Sequence, residues 1–188
     1  MKKTLVLLVA VLGFTVSASA LELRVGTFFG MRTMNDAAIK DIYGEGTVLY
    51  PIVHLDILAG FGVGASYELY DRSGTIQPYG ESSRLKIKGL EGFLSYSVNL
   101  GIARPYIRAG FGSYDYEQTV ESDYLAGYKV KATKTAPHFA AGVVLKILKP
   151  VYFAVEAKYV PLKVRPIEDE VDLGGWRFSA GLGLAFGI

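Results

Sequence analysis

Cysteine is missing from all 188 residues. That excludes disulfide staples, thiolate metal sites and a cysteine nucleophile. Histidine is nearly missing, with only His54 and His138, which leaves little for an imidazole metal centre or a general base. No apolar run reaches the roughly 20 residues that a spanning helix needs, although 51% of the chain is hydrophobic. The longest, Leu5 to Val16, follows Lys2 and Lys3 and precedes Ala18-Ser19-Ala20. A positive start, a short apolar run and a small-residue end are the parts of a secretory signal peptide, so cleavage is expected after Ala20. No cysteine follows that point to carry a lipid. With Lys2 and Lys3 set aside, the formal charge of +2 falls to zero, which argues against nucleic acid as a partner.

What the chain has instead is alternation. From Trp176 to Ile188 the even positions are Trp176, Phe178, Ala180, Leu182, Leu184, Phe186 and Ile188, and the odd ones are Arg177, Ser179, Gly181, Gly183, Ala185 and Gly187. Side chains on a strand alternate faces, so this segment carries an apolar stripe on one side and small or polar groups on the other. The stripe is long enough to cross a bilayer as a transmembrane β-strand. The 22 glycines and 13 tyrosines fit the same class.

Seven further alternating segments precede it: Leu21 to Arg32, Thr47 to Leu58, Gly62 to Arg72, Arg84 to Val98, Arg104 to Glu117, Thr133 to Ile147 and Val151 to Val164. The connections run long, short, long, short, long, short, long. That rhythm predicts an all-β fold, an eight-stranded antiparallel up-and-down transmembrane barrel occupying residues 21–188 as one domain, with short periplasmic turns, longer extracellular loops and both termini periplasmic. A charged group facing lipid at the midplane costs roughly 2 to 4 kcal/mol, so the charged residues are assigned to the lumen. They are Glu22, Arg24, His54, Asp56, Glu68, Arg108, Glu156, Lys158 and Arg177. Glu22 with Arg24, Glu156 with Lys158, and Arg108 and Arg177 with Glu68 or Asp56 are the expected pairs. Arg84 to Val98 breaks phase, since Leu85 and Ile87 are odd whereas Leu90, Leu94, Tyr96 and Val98 are even. A β-bulge near Lys88 and Gly89 is the expected remedy. A soluble lipocalin-like barrel points its apolar face inward, but Gly181, Gly183 and Gly187 suit a crowded lumen better than a water-facing surface. Tyr50, Tyr67, Tyr159 and Trp176 fit interfacial girdles.

On these segments the mature chain resembles the small eight-stranded outer-membrane barrels, the group of outer membrane protein X and the barrel domain of outer membrane protein A. Gly183, Phe186 and Ile188 match their C-terminal assembly signal. Gly181 stands where a polar residue is usual, and Ile188 where the terminal aromatic is. The resemblance implies the outer membrane of a Gram-negative bacterium, a monomer among lipid and lipopolysaccharide, and handling by periplasmic chaperones and the barrel-assembly machinery.

Eight strands enclose a space that side chains nearly fill. Buried charges must be paired, so the lumen is expected to be a salt-bridged plug, reinforced by inward Phe28, Tyr106 and Tyr152. The protein is accordingly read as structural or surface-interacting and not as an enzyme, with no cofactor or metal. Two alternatives have residues behind them. A lipid A acyl-modifying barrel needs a serine nucleophile and a histidine base. His54 beside Asp56 is half of a triad, and Pro137 opposite Pro161 would open a lateral gap, because proline cannot donate to the ladder. The other alternative is a narrow channel along the lumen charges. In the first loop, Asn35 or Asp36 is placed to cap a helix from Ala37 to Tyr43, with Ile39, Ile42 and Tyr43 on one face as a lid. Glu168, Asp169, Glu170 and Asp172 in the fourth loop form an acidic cluster suited to divalent cations. Tyr124, Tyr128, Lys129 and Lys131 in the third are expected to extend strands above the membrane.

Overall fold

The computed structural model describes residues 21–76, 80–121, 128–165 and 170–187. The expected signal peptide, residues 1–20, and Tyr124, Glu168, Asp169 and Ile188 lie outside the described residues. Eight strands close into an antiparallel barrel: β1 (Glu22–Arg32), β2 (Gly46–Leu58), β3 (Phe61–Ile76), β4 (Glu81–Ser97), β5 (Ala103–Glu121), β6 (Tyr128–Leu148), β7 (Val151–Val160) and β10 (Gly175–Gly187). Each pairs with its neighbours along the chain, and β1 closes on β10 from Glu22↔Gly187 to Arg32↔Arg177. The start of β1 therefore lies beside the end of β10, at the end of the barrel that carries the short turns. At the opposite, loop end stand α1 (Ala37–Tyr43) and a two-stranded pair, β8 (Lys163–Val164) with β9 (Val171–Asp172).

Local chemistry accounts for the connections. The Asp36 carboxylate accepts the backbone N–H groups of Ala38 at 2.9 Å and Ile39 at 3.2 Å, which caps α1. Gly44, at φ 65°, ends it. β2 and β3 are joined by Ala59 and Gly60, both at positive φ (55° and 84°), the arrangement that lets a two-residue hairpin follow the strand twist.

Alternation holds around the wall. Leu94, Phe111, Ile107, Leu182, Phe139 and Val53 are among the large apolar side chains exposed on the outside, and Tyr159 and Trp176 pack with ring centroids 5.2 Å apart on the same face. An apolar belt of this extent is stable only against lipid. Inside, glycine makes room for aromatics. A Cβ built on Gly142 comes 2.5 Å from the Tyr106 hydroxyl, on Gly181 2.8 Å from Phe28, and on Gly183 2.5 Å from the Tyr152 hydroxyl, while one on Gly64 runs into the Phe93 ring. Each inward ring occupies volume that a neighbouring strand has vacated.

Three expectations change. β4 has no bulge at Lys88 and Gly89, since its register with β3 runs unbroken from Phe61↔Tyr96 to Ile76↔Glu81. Its odd positions face inward throughout, so Leu85 and Ile87 are buried in the lumen and Lys86 and Lys88 point outward. Sequence placed those two aliphatic residues on lipid because it could not show that an apolar cluster fills the loop end of the barrel. Tyr50 is a lumen residue with no exposed surface and not part of the girdle. The strand ends also move: β3 reaches Ile76, β5 and β6 lengthen to Glu121 and back to Tyr128, and β7 stops at Val160.

Candidate functional site: the barrel lumen

The lumen charges form three tiers. Nearest the turns, Asp56 of β2 accepts from Arg24 of β1 at 2.9 Å and from Arg104 of β5 at 2.7 Å. Glu22 accepts from Arg104 at 2.9 Å and from Lys146 of β6 at 2.9 Å. In the middle, Glu156 of β7 accepts from Arg108 at 2.5 Å, Tyr50 at 2.7 Å and Tyr106 at 2.8 Å, while the Arg108 guanidinium lies 4.6 Å from the Phe93 ring centroid. Towards the loop end, Glu68 of β3 and Glu91 of β4 share three cations. Arg32 reaches Glu68 at 3.0 Å, Lys158 reaches Glu68 at 3.2 Å and Glu91 at 2.9 Å, and Arg177 bonds both carboxylates. Tyr114 and Ser66 donate to Glu91 at 2.8 and 2.7 Å. This last tier joins six strands across the bore, and its charged side chains are wholly buried.

Above the tiers the interior turns apolar. Met34, Tyr43, Tyr70, Leu85, Ile87, Leu162, Val164 and Leu173 form one buried cluster, with Ile39 and Ile42 of α1 packed on it. The expected helical face is therefore a lid, as Tyr43 is almost fully buried and its hydroxyl meets Ser83 at 2.5 Å.

All nine lumen residues named from sequence do face inward, and Arg177 meets Glu68 as expected, but two pairings differ, Glu156 with Lys158 and Arg108 with Glu68 or Asp56. Glu156 takes Arg108 and not Lys158, which instead bridges Glu68 and Glu91. Adjacent same-face positions on one strand point in parallel, so partners across the bore serve buried charges better. The expected Glu22–Arg24 contact is present but long, at 3.8 Å. Four charged residues were missed: Arg32, Glu91, Arg104 and Lys146. Parity held the signal for Arg32, which shares the even face of Glu22 and Arg24, and for Arg104, which shares that of Arg108. Parity held it for Glu91 too, since outward Leu90 and Leu94 turn the odd positions of β4 inward. Among the described residues the fully or nearly buried charges are six cations, Arg24, Arg32, Arg104, Arg108, Lys158 and Arg177, against four carboxylates, Asp56, Glu68, Glu91 and Glu156. The bore is thus electropositive.

His54 does find a serine: its Nε2 lies 2.6 Å from the Ser95 hydroxyl. The arrangement falls short of a triad. Nδ1 is 3.8 Å from Asp56, beyond hydrogen-bond reach, and the Asp56 carboxylate is already held by two arginines. The adjoining cavity, lined by Arg24, His54, Phe93, Ser95, Arg108 and Tyr152, measures about 30 Å³. That volume takes about two water molecules and no acyl ester. His138 is fully buried in the lumen, next to the Phe93 ring.

The wall is uneven at one seam. β6 and β7 pair from Leu148↔Val151 to Phe139↔Tyr159. Beyond that, β6 continues to Tyr128 paired with β5, whereas β7 ends at Val160. The same register carried two residues further sets Pro137 opposite Pro161. Leu162 and Val164, just past this point, are buried in the apolar cluster under α1.

Eight antiparallel strands closed on themselves, apolar outside and ionic within, define a transmembrane β-barrel of the small outer-membrane type. Solved structures of that class align over nearly the whole chain. Outer membrane protein OprG from Pseudomonas aeruginosa matches with a TM-score of 0.68 and 12% identity over 91% of this chain and 98% of its own. Neisserial surface protein A matches at 0.59 and 13%, over 90% and 99%. Ail, the attachment invasion locus protein of Yersinia pestis, solved in complex with the heparin analogue sucrose octasulfate, matches at 0.57 and 12%, over 89% and 99%. No protein-family model and no curated protein matches the chain. At these identities the likeness concerns the fold.

Proposed function

We propose that the protein is a monomeric integral barrel of a Gram-negative outer membrane, with both termini in the periplasm and a structural or surface-interaction role, its lumen closed to ions. The observation that carries this reading is the loop-end tier, in which Glu68 and Glu91 bind cations from three other strands across the full bore. A water path would strip those carboxylates of partners held in a dry interior. The lid of α1 and its apolar cluster close the same end again. The long strand extensions and α1 are then the parts that meet the surroundings of the cell. Reconstitution is not needed to test the orientation, because the chain has no cysteine of its own. Lys40→Cys, on the exposed face of α1, is expected to react with a membrane-impermeant maleimide on intact cells. Leu100→Cys, in a turn, is expected to react only after the outer membrane is permeabilised. The opposite pattern would refute the orientation.

The interrupted seam supports a second reading, acyl modification of lipid A through lateral entry between β6 and β7. It requires Leu162 and Val164 to move aside and a nucleophile that the Ser95 site does not supply. Mass spectra of lipid A from cells overexpressing the protein decide it: acylation that changes with the protein and is lost in Pro137→Ala/Pro161→Ala favours this reading, and an unchanged profile removes it.

A further inference from the structure

The cavity of about 30 Å³ beside His54 is lined by donors. Its polar side chains are Arg24, His54, Ser95, Tyr106, Arg108 and Tyr152, with no carboxylate among them, and each of the six carries an N–H or an O–H. Two of these donors are unengaged. Arg24 gives Nη2 to Asp56 at 2.9 Å, and Arg108 gives Nη2 to Glu156 at 2.5 Å. The Nε–H of each is buried and meets no acceptor among the described residues. The Arg24 Nε stands 3.8 Å from Glu22, beyond hydrogen-bond reach. Both arginines are nine-tenths buried or more, at 5% and 4% exposure. Arg108 and His54 also pack on one ring, 4.6 and 5.7 Å from the Phe93 centroid.

Charge points the same way. In the two tiers that border this cavity, buried Arg24, Arg104 and Arg108 stand against buried Asp56 and Glu156, while partly buried Lys146 and Glu22 offset each other at 2.9 Å. One positive charge in this part of the bore therefore lacks a counter-charge, and an uncompensated buried charge is costly. Water in the cavity takes up the N–H groups but leaves the charge. A monovalent anion takes up both, and a halide ion needs about the room of one water molecule, which the cavity provides.

We propose that this cavity is a binding site for one halide-sized anion, chloride in ordinary media, held by the Nε–H groups of Arg24 and Arg108 and by the Ser95 hydroxyl. His54, whose Nε2 lies 2.6 Å from that hydroxyl, then donates to the serine oxygen and leaves the serine O–H for the ion. Gluconate and other polyatomic anions are too large for the volume. The ion is a fixed part of the plug, below the loop-end tier, and opens no path through it.

The test is a urea titration of the mature barrel refolded in an uncharged detergent, with sodium gluconate exchanged for sodium chloride at constant ionic strength. An anion that binds only the folded barrel raises the folded-to-unfolded ratio in proportion to its occupancy of the site. Replacing all the gluconate by about 0.5 M chloride is expected to raise that ratio about tenfold at a fixed urea concentration, and bromide should act as chloride does. A ratio indifferent to the exchange overturns the proposal. Arg24→Met/Asp56→Leu removes one donor together with one charge of each sign and leaves Arg104 on Glu22 at 2.9 Å. This variant is expected to lose most of the chloride response, and a response as large as the native one overturns the proposal. Should the variant fail to refold, crystals of the native barrel refolded in sodium bromide answer the same question. An anomalous bromine peak beside Arg24 and Arg108 is the expected result; ordered water there, with no anomalous signal, overturns the proposal.

Discussion

Glu91→Leu is expected to destabilise the barrel by about 3–5 kcal/mol, the cost of removing one partner from a buried ionic cluster. The size of the effect comes from what remains. Glu91 meets Lys158 at 2.9 Å and 3.0 Å, Tyr114 at 2.8 Å and Ser66 at 2.7 Å. Without it, Glu68 alone faces Arg32, Lys158 and Arg177, none of which reaches water. The partner experiment separates charge imbalance from lost volume. In Glu91→Leu/Lys158→Met one charge of each sign leaves together, and apolar replacement of a buried pair is often neutral or stabilising. The double variant is therefore expected to unfold in denaturant later than the single one. A single variant within about 1 kcal/mol of the native protein would contradict the assignment of this tier as a structural tie.

The second large effect is expected on the permeability of the bore. Tyr50, Tyr106 and Tyr152 are inward residues of the middle of the lumen: the first two donate to Glu156, and Tyr152 packs with Phe28 and Phe93 in the same cluster. Replacing all three with alanine removes the middle of the plug, and replacing Glu91, Tyr43, Leu85 and Ile87 with alanine in the same protein opens the loop-end tier and the apolar cluster above it. It also leaves Arg108 and Glu156 facing open volume. This sevenfold variant is expected to conduct, and its current should be anion-selective, since six buried cations then stand against three buried carboxylates, Asp56, Glu68 and Glu156. Cation selectivity would show that the charge assignment of the bore is wrong in sign.

Sequence alternation carried most of this architecture. Strand number, the succession of long and short connections and the inward set from Glu22 to Arg177 could be read because lipid punishes a charge on the outer face, which forces a strict period of two. The same logic failed where the environment is not lipid. Leu85 and Ile87 are apolar and inward, since the loop end of the lumen is an apolar cluster under α1, and their parity imitated a bulge. A bulge at Lys88 and Gly89 would turn Lys86 inward, whereas the unbroken register leaves Lys86 and Lys88 outside.

Pairing was less legible than facing. Which cation meets Glu156 depends on the distance across the bore between β5 and β7, and local spacing in one strand favoured the wrong answer, Lys158. The lid of α1 was readable because Asp36, Ile39, Ile42 and Tyr43 combine a cap with a single apolar face. The early end of β7 was not, because Val151 to Val164 keeps alternating past Val160 while its last residues leave the wall to cover the interior.

The central claim is that buried ion pairs close this lumen. Single-channel recording of the refolded native barrel in a planar bilayer, beside the sevenfold alanine variant that also opens the loop-end tier, tests it most directly. A silent native protein next to a conducting, anion-selective variant is the predicted result; discrete conductance steps from the native barrel itself would contradict the claim.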